Sequence, residues 1–206
     1  MSELKPAIIS TFLLVALCGF IFPLVIWAGS QLLFPDQANG SFVTDKSGKI
    51  VGSRLIGQTF TAPKYFHSRA SAAGSGYDPA ASSGTNLGPI SSKLVQGIKD
   101  DPSTPDADES YNGIRDLAQQ YREENGLAPD TILPAEAATR SSSGLDPEIS
   151  PANALLQVAR VAKARGISEH EVKNLVTAHT KERFIRLFGE PRVNVLEINL
   201  ALDAKY

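Results

Sequence analysis

The sequence predicts an α+β protein in which a single N-terminal transmembrane helix, within residues 1–36, precedes one soluble domain with long ordered loops, residues 37–206. No charged residue occurs between Pro6 and Pro35, and roughly 20 apolar residues are enough to cross a bilayer as a helix. The rest of the chain mixes short β-rich runs with capped, periodic helical segments. A Gly- and Ser-rich stretch between residues 61 and 91 shows neither pattern.

The charge-free run predicts a membrane helix over about residues 7–34. A cleaved signal peptide is the alternative, because Ala28-Gly29-Ser30 offers small residues to a peptidase. The apolar run is longer than the centre of such a peptide, and Trp27 lies near its far end as an interfacial aromatic residue would. Pro23 removes a backbone hydrogen bond inside the span, which favours a neighbouring helix in the membrane.

The charges beside the predicted span indicate its orientation. Lys5 and the amino terminus precede the span, whereas Asp36 follows it and no Lys or Arg occurs until Lys46. Because Lys and Arg are enriched on the cytoplasmic side of membrane spans, we expect a cytoplasmic N-terminus and an extracytoplasmic domain. The one cysteine, Cys18, lies in the span, so no disulfide framework bears on the compartment.

Composition limits the partners of the soluble domain. Its length of about 170 residues is enough for one domain with a real core. The formal net charge of the chain is −2, and no long block of like charge occurs. Nucleic acid is therefore not expected as a partner.

Three regions predict strands. Residues 41–52 form a candidate β-hairpin, in which two β-rich runs flank the turn Asp45-Lys46-Ser47-Gly48. Residues 54–58 are a candidate extension of its second strand, and residues 132–139 are a short strand. Near the C-terminus, alternation predicts a half-buried strand whose apolar face is Leu196, Ile198, Leu200 and Leu202.

Two helices are predicted in the middle of the domain. The first begins near Ser91 and runs to Ile98. The second spans about Ala107 to Glu124, with apolar residues at helical spacing and Gly126 as its C-cap.

Two further helices are predicted towards the C-terminus. Ser150 is the N-cap of the third helix, Pro151 lies in its first turn, and Gly166 ends it. Its expected apolar stripe is Leu155, Val158, Ala159 and Ala162, with Arg160, Lys163 and Arg165 on a solvated face. Ser168 and Glu171 form a capping box that opens the fourth helix.

The long loop contains a five-residue pattern that recurs later in the chain. Ser75-Gly76-Tyr77-Asp78-Pro79 is repeated as Ser143-Gly144-Leu145-Asp146-Pro147. Glycine permits a left-handed backbone, and Asp can accept hydrogen bonds from amides that follow it. Two hypotheses remain open: the copies, here called the SGxDP loops, form one shared surface, or they are two unrelated turns. Aromatic residues in the first loop favour order over disorder.

The sequence offers no recognisable catalytic or metal-binding set. Asp45-Lys46-Ser47-Gly48 resembles the phosphorylated-aspartate motif of P-type ATPases, but it occupies a predicted hairpin turn without the large nucleotide-binding domain that such chemistry needs. No phosphate loop follows Gly48, and His67, His170 and His179 lack metal-ligand spacing. We expect no catalytic and no metal-binding residue.

Several motifs together resemble the KdpC family, and the resemblance covers nearly the whole chain. They are Phe66-His67-Ser68-Arg69, both SGxDP loops, Ser83-Gly84-Thr85-Asn86-Leu87-Gly88-Pro89, Glu148-Ile149-Ser150-Pro151-Ala152-Asn153-Ala154, Gln157-Val158-Ala159-Arg160-Val161-Ala162 and Pro191-Arg192-Val193-Asn194-Val195-Leu196-Glu197.

The resemblance implies a non-catalytic subunit of the high-affinity, ATP-driven Kdp potassium uptake complex. Its expected partners are a channel-like potassium-binding subunit, a P-type ATPase subunit, a small fourth subunit and the lipid bilayer of the cell inner membrane. The resemblance also implies a role in assembly and a catalytic-chaperone role that raises the ATP affinity of the ATPase subunit.

The resemblance also suggests site residues. No cofactor of its own is implied, since ATP is reached through the ATPase subunit, and Gln157 is the candidate nucleotide contact. The candidate partner-contact residues come from the SGxDP loops and two asparagines: Tyr77, Asp78, Pro79, Asn86, Leu145, Asp146, Pro147 and Asn153. A free-standing, membrane-anchored binding protein for a small ligand is the alternative function, with the long loop as its pocket.

Overall fold

The computed structural model describes residues 3–99 and 110–206. The chain divides into two compact units, one ending at Ser53 and the other spanning Arg54–Tyr206. The mixture of helices and strands confirms the predicted α+β class. The boundary predicted at residue 36 stays a prediction.

The first unit begins with the predicted apolar helix. It consists of α1 (Leu4–Ala16), a π-helical turn (Leu17–Ile21) and α2 (Phe22–Leu33). The segment Leu4–Leu33 is long and apolar enough to cross a membrane, with a mean hydropathy of 2.6. The π-helical turn ends two residues before Pro23, whose missing N–H interrupts regular helical bonding.

The predicted hairpin follows a short helix, α3 (Pro35–Ala38), and is confirmed as β1 (Phe42–Thr44) and β2 (Ile50–Ser53), paired antiparallel. Asp45 closes its turn, because its Oδ1 accepts hydrogen bonds from the amides of Ser47 and Lys49. These bonds, led by one from the Ser47 hydroxyl, lower the pKa of Asp45. Residues 45–48, which resemble the phosphorylated-aspartate motif, therefore form a turn. The second strand ends at Ser53, so its extension over residues 54–58 is wrong.

The second unit packs three of its helices and a small sheet around one core. The helices are α4 (Ser92–Gln96), α5 (Ile114–Asn125), α6 (Pro151–Arg165), α7 (Glu169–His179) and α8 (Val195–Lys205); the strands are β3 (Glu148–Ile149), β4 (Thr180–Lys181) and β5 (Arg192–Asn194). The strands lie side by side in the order β3, β5, β4, and both pairs are antiparallel. Large fully buried side chains of the core include Phe66, Ile149, Val158, Val161, Val172, Val176, Val193, Ile198 and Leu202.

The capped helices follow the sequence closely. The Ser150 side chain accepts a bond from the Asn153 amide, and Gly166 ends α6 in the left-handed conformation. Ser168 and Glu171 form the predicted capping box at the start of α7. The helix predicted to begin at Ala107 begins instead at Ile114, because the Asp116 side chain accepts from the Gly113 amide and fixes the start there. Residues 107–109 lie outside the described residues.

The predicted C-terminal strand is wrong, since residues 195–205 form helix α8. The Asn194 side chain caps this helix by accepting from the Glu197 amide at 3.1 Å. The alternating apolar residues also fit a helix, because Val195, Ile198 and Leu202 lie at helical spacing, and all three are buried. The short strand predicted at 132–139 is likewise wrong: it contains a 3₁₀ turn, Ala135–Ala137.

Candidate functional site

Two buried carboxamides hold the long loop against the core. The Asn199 side chain accepts from the Phe66 amide at 2.8 Å and donates to the Phe66 carbonyl at 2.9 Å. The Gln157 side chain does the same for His67, at 2.8 and 3.1 Å. Buried backbone groups need such partners, and among the residues that the structure describes no strand runs beside this segment to supply them. The predicted order of the loop is confirmed, with Phe66 fully buried.

Gln157 is 1% exposed. Its side chain forms two further hydrogen bonds. Its Oε1 accepts from an Arg160 guanidinium nitrogen at 2.7 Å, and its Nε2 donates to Asn153 Oδ1 at 2.9 Å. Asn153 Oδ1 also accepts from the Tyr121 hydroxyl at 2.6 Å. Burial raises the pKa of Tyr121, which keeps that hydroxyl a donor. A nucleotide contact at Gln157 stays a prediction, and it would have to replace these bonds.

The apolar stripe expected on α6 is wrong at two positions. Leu155 and Ala159 are exposed, whereas Asn153 and Gln157 face the core beside Val158. Hydrophobicity alone could not assign these amides to the interior, because their burial depends on loop backbone that is distant in sequence.

The solvated face expected on α6 is also wrong for two of its three residues. Arg160 donates to Asn125 Oδ1 at 2.9 Å and to the carbonyls of Pro63 and Tyr65 at 2.7 and 2.8 Å. Arg165 donates to the Lys64 carbonyl at 2.8 Å and pairs with Asp203 at 2.7 Å. Only Lys163 is exposed as expected. The guanidinium groups therefore pin the start of the long loop to the helix.

An acidic side chain on α5 completes this network. Glu124 Oε1 accepts from His67 Nδ1, and the Nε2 of the same ring lies 3.0 Å from the Ala62 carbonyl. The hydrogen bond from His67, with a contribution from the Arg160 charge, lowers the pKa of Glu124 even though burial raises it. The loop is thus tied to both α5 and α6.

The second SGxDP loop contacts residues on both sides of the first. The Ser143 carbonyl accepts from the Ser83 amide at 3.0 Å and from the Ser82 hydroxyl at 2.9 Å. The Ser71 hydroxyl donates to the Gly144 carbonyl at 2.7 Å. At Gly144 the backbone is left-handed, and a Cβ atom there would lie 2.6 Å from the Ser83 carbonyl oxygen. The hypothesis of one shared surface is therefore supported over two unrelated turns.

Both copies also fold alike locally. Asp78 Oδ1 accepts from the amide two residues later at 2.9 Å, and Asp146 Oδ1 does so at 3.0 Å. Asp146 additionally pairs with Arg69 at 2.9 Å. Burial raises the pKa of Tyr77 to about 12, and its hydroxyl donates to the Arg69 carbonyl. Arg69 thus links the two copies.

The candidate contact residues differ in exposure. Pro79 and Asn86 are exposed, whereas Asn153 is 1% exposed and lies in the interior network. The others are half-buried: Tyr77, Asp78, Leu145, Asp146 and Pro147. Their role as partner contacts stays a prediction.

The long loop, which the alternative function uses as its pocket, lines a cleft of about 640 Å³ together with α5. The contribution of α5 was not predicted. Hydroxyl, amide and carboxylate groups line much of it, among them Ser68, Ser71, Tyr77, Gln120 and Glu124. No local motif marks it, because its walls come from segments that are about 50 residues apart.

The apolar helix and the loop-rich domain define a membrane-anchored protein, with one candidate span in residues 3–99 and 110–206. The model of the KdpC family, described as the c chain of K⁺-transporting ATPase, matches residues 4–204. Potassium-transporting ATPase KdpC subunits of Caulobacter vibrioides (strain NA1000 / CB15N) and Caulobacter sp. (strain K31) are 47% and 45% identical over 206 residues, covering 100% of this chain and 95% of each relative.

The corresponding subunit of Mycobacterium tuberculosis (strain ATCC 25618 / H37Rv) is 45% identical over 201 residues, covering 98% of this chain and 97% of that relative. The chain belongs to the KdpC family of subunits of K⁺-transporting ATPases. This membership confirms the family resemblance. Because the family consists of subunits of an ATPase complex, the chain is expected to have partner subunits.

Proposed function

We propose that this chain is the non-catalytic subunit that assembles and stabilises an ATP-driven potassium uptake complex. The observation that carries the proposal is the family match over residues 4–204, which includes both the anchor and the domain. In this proposal the anchor crosses the cell inner membrane with a cytoplasmic N-terminus. The domain lies outside and packs over the channel-like subunit, and the P-type ATPase subunit and a small fourth subunit complete the assembly.

The two neighbouring SGxDP loops form the proposed contact surface. Hydrogen bonds between the second loop and residues that flank the first, together with the Arg69 link between the copies, hold the surface in place before binding, so little conformational freedom is lost on binding. Pro79 and Asn86 are its exposed members. Asn153 supports the surface from inside through its bond with Tyr121.

The proposed effect on ATP is indirect. The chain raises the ATP affinity of the ATPase subunit by favouring one conformation of the assembled pump, and such coupling is typically about 1–3 kcal/mol. The buried, fully bonded amide of Gln157 supports this route over a direct nucleotide contact.

The first test is recovery of the tagged chain in mild detergent from its native membranes, after growth at limiting potassium. We expect a channel-like subunit and a P-type ATPase subunit in equal amounts. Recovery of the chain alone would contradict the proposal and favour a free-standing binding protein.

The second test separates the direct from the indirect effect on ATP. Gln157→Leu leaves the His67 N–H and C=O buried without partners, at about 1–3 kcal/mol for each, so we expect less assembled complex. The complex that still assembles with Gln157→Leu should have the wild-type KM for ATP. The complex with Gln120→Leu, an exposed control position, should have the same KM. A raised KM in fully assembled Gln157→Leu complex would instead indicate direct contact.

A further inference from the structure

A short apolar tip projects from the sheet between β4 and β5. Its residues, 184–188, are here called the apolar tip. The Phe184 amide donates to the Phe188 carbonyl at 2.8 Å, and the Phe188 amide donates back at 3.0 Å. Four large apolar side chains of the tip are exposed: Phe184 by 71%, Ile185 by 67%, Leu187 by 67% and Phe188 by 60%.

The turn of the tip has an uncommon backbone. Ile185 and Arg186 both have positive φ angles, 47° and 61°, and the Leu187 amide donates to the Phe184 carbonyl at 3.1 Å. A β-branched residue rarely adopts this conformation. The backbone thus closes a tight turn, while the apolar side chains remain exposed to solvent.

Cationic residues surround the apolar tip. Residues 181–192 contain four Lys or Arg and two Glu. Three of the four cations form ion pairs: Lys181 with Glu197 at 2.8 Å, Arg183 with Glu190 at 2.6 Å and Arg192 with Glu148 at 2.9 Å. Within residues 3–99 and 110–206, Arg186 has no ion-pair partner. The turn therefore presents an unpaired guanidinium among apolar side chains.

We propose that the apolar tip inserts into the headgroup region of the membrane that holds the chain's own span. Apolar side chains beside Lys and Arg are the combination that binds an anionic lipid interface. The covalent link to the span makes this contact intramolecular, so a small contact area suffices.

The size of the tip favours lipid over a protein partner. Its exposed apolar side chains offer roughly 500 Å², whereas a stable protein interface takes about 800 Å² from each side. The inference goes beyond the proposed function, because it depends on the span but not on the assembly or on the side of the membrane.

The test uses the full chain in lipid nanodiscs of phosphatidylcholine and phosphatidylglycerol. Cys18, the only cysteine, is replaced by Ser, and a nitroxide label is attached at Ile185→Cys. The matched control carries the label at Ile90→Cys, because Ile90 is another apolar residue and is 99% exposed. Electron paramagnetic resonance then measures access of lipid-soluble oxygen and of a water-soluble nickel chelate.

We expect the oxygen-to-nickel access ratio at residue 185 to exceed that at residue 90 several-fold. It should fall to the control ratio when Phe184 and Phe188 are both replaced by Ser. Equal ratios at residues 185 and 90 would overturn the proposal. The same measurement in the purified complex identifies a protein partner instead, if the label at residue 185 is shielded from both reagents.

Discussion

At the scale of single residues, Gln157 and Asn199 take the place that a neighbouring strand would have in a sheet. Each side-chain amide both donates to and accepts from one residue of the long loop. Arg160 adds bonds to loop carbonyls and to Gln157 itself. Polar networks of this kind specify one conformation only when all members are satisfied, which is the arrangement around Gln157.

Glu124 gives this network a pH dependence. The hydrogen bond from His67 lowers its pKa below the ordinary 4.5, so its stabilising contribution is complete above that value and is lost as pH falls through the lower pKa. We expect Glu124→Gln to be less stable than wild type at neutral pH and to lose less stability below pH 4.5.

Urea unfolding of the full chain at a series of pH values measures this difference. Glu123→Gln is the control, since Glu123 is the exposed neighbour on α5. Parallel pH profiles for wild type and Glu124→Gln would contradict the assigned role of Glu124.

At the scale of elements, the segments that flank the SGxDP loops are held together by backbone contacts rather than by regular secondary structure. The Ala70 and Arg140 positions form an isolated parallel bridge, and the Ser141 amide donates to the Ala70 carbonyl at 3.1 Å. Close approach of backbones requires small residues at the crossing. Gly84 occupies such a crossing against Ser142.

Replacing Gly84 should separate the two segments that cross there. A Cβ atom at Gly84 would lie 2.2 Å from the Ser142 carbonyl oxygen, so we expect Gly84→Ala to destabilise the domain by about 1–3 kcal/mol. Gly88→Ala is the matched control, because nothing lies within 4 Å of a Cβ atom there. Thermal unfolding of both variants measures the difference, and equal midpoints would mean that the crossing is not as close as described.

At the scale of the whole molecule, the chain consists of two compact units. The second unit, Arg54–Tyr206, contains the described core, both SGxDP loops and the apolar tip. The first unit contains the candidate span. The domain can reach the outer mouth of a channel only if it lies on the outer side of the membrane.

The proposed orientation has a direct test with single cysteines. In the Cys18→Ser chain, Ile90→Cys should react with a membrane-impermeant maleimide added to intact spheroplasts, because the domain is expected outside. Glu3→Cys, which precedes the span, should react only after permeabilisation. The reverse pattern would place the domain in the cytoplasm and contradict the charge argument.

The sequence by itself determined the features that depend on near neighbours. The span follows from a charge-free run, and the ends of α6 and α7 follow from Ser150, Gly166 and Ser168, whose bonds close within one turn. The hairpin turn at Asp45 is equally local. Short motifs also predicted the family, and the match of the KdpC family model to residues 4–204 confirms it.

Tertiary structure decided what depends on distant partners. Gln157 and Asn199 lie 90 and 133 residues from the loop residues that they hold, so their burial could not be read from neighbouring residues. The same holds for Arg160, which an isolated helix would leave in water. In α8 the apolar residues fit both a strand and a helix, and the choice rests on the Asn194 cap and on a core that surrounds Ile198 and Leu202.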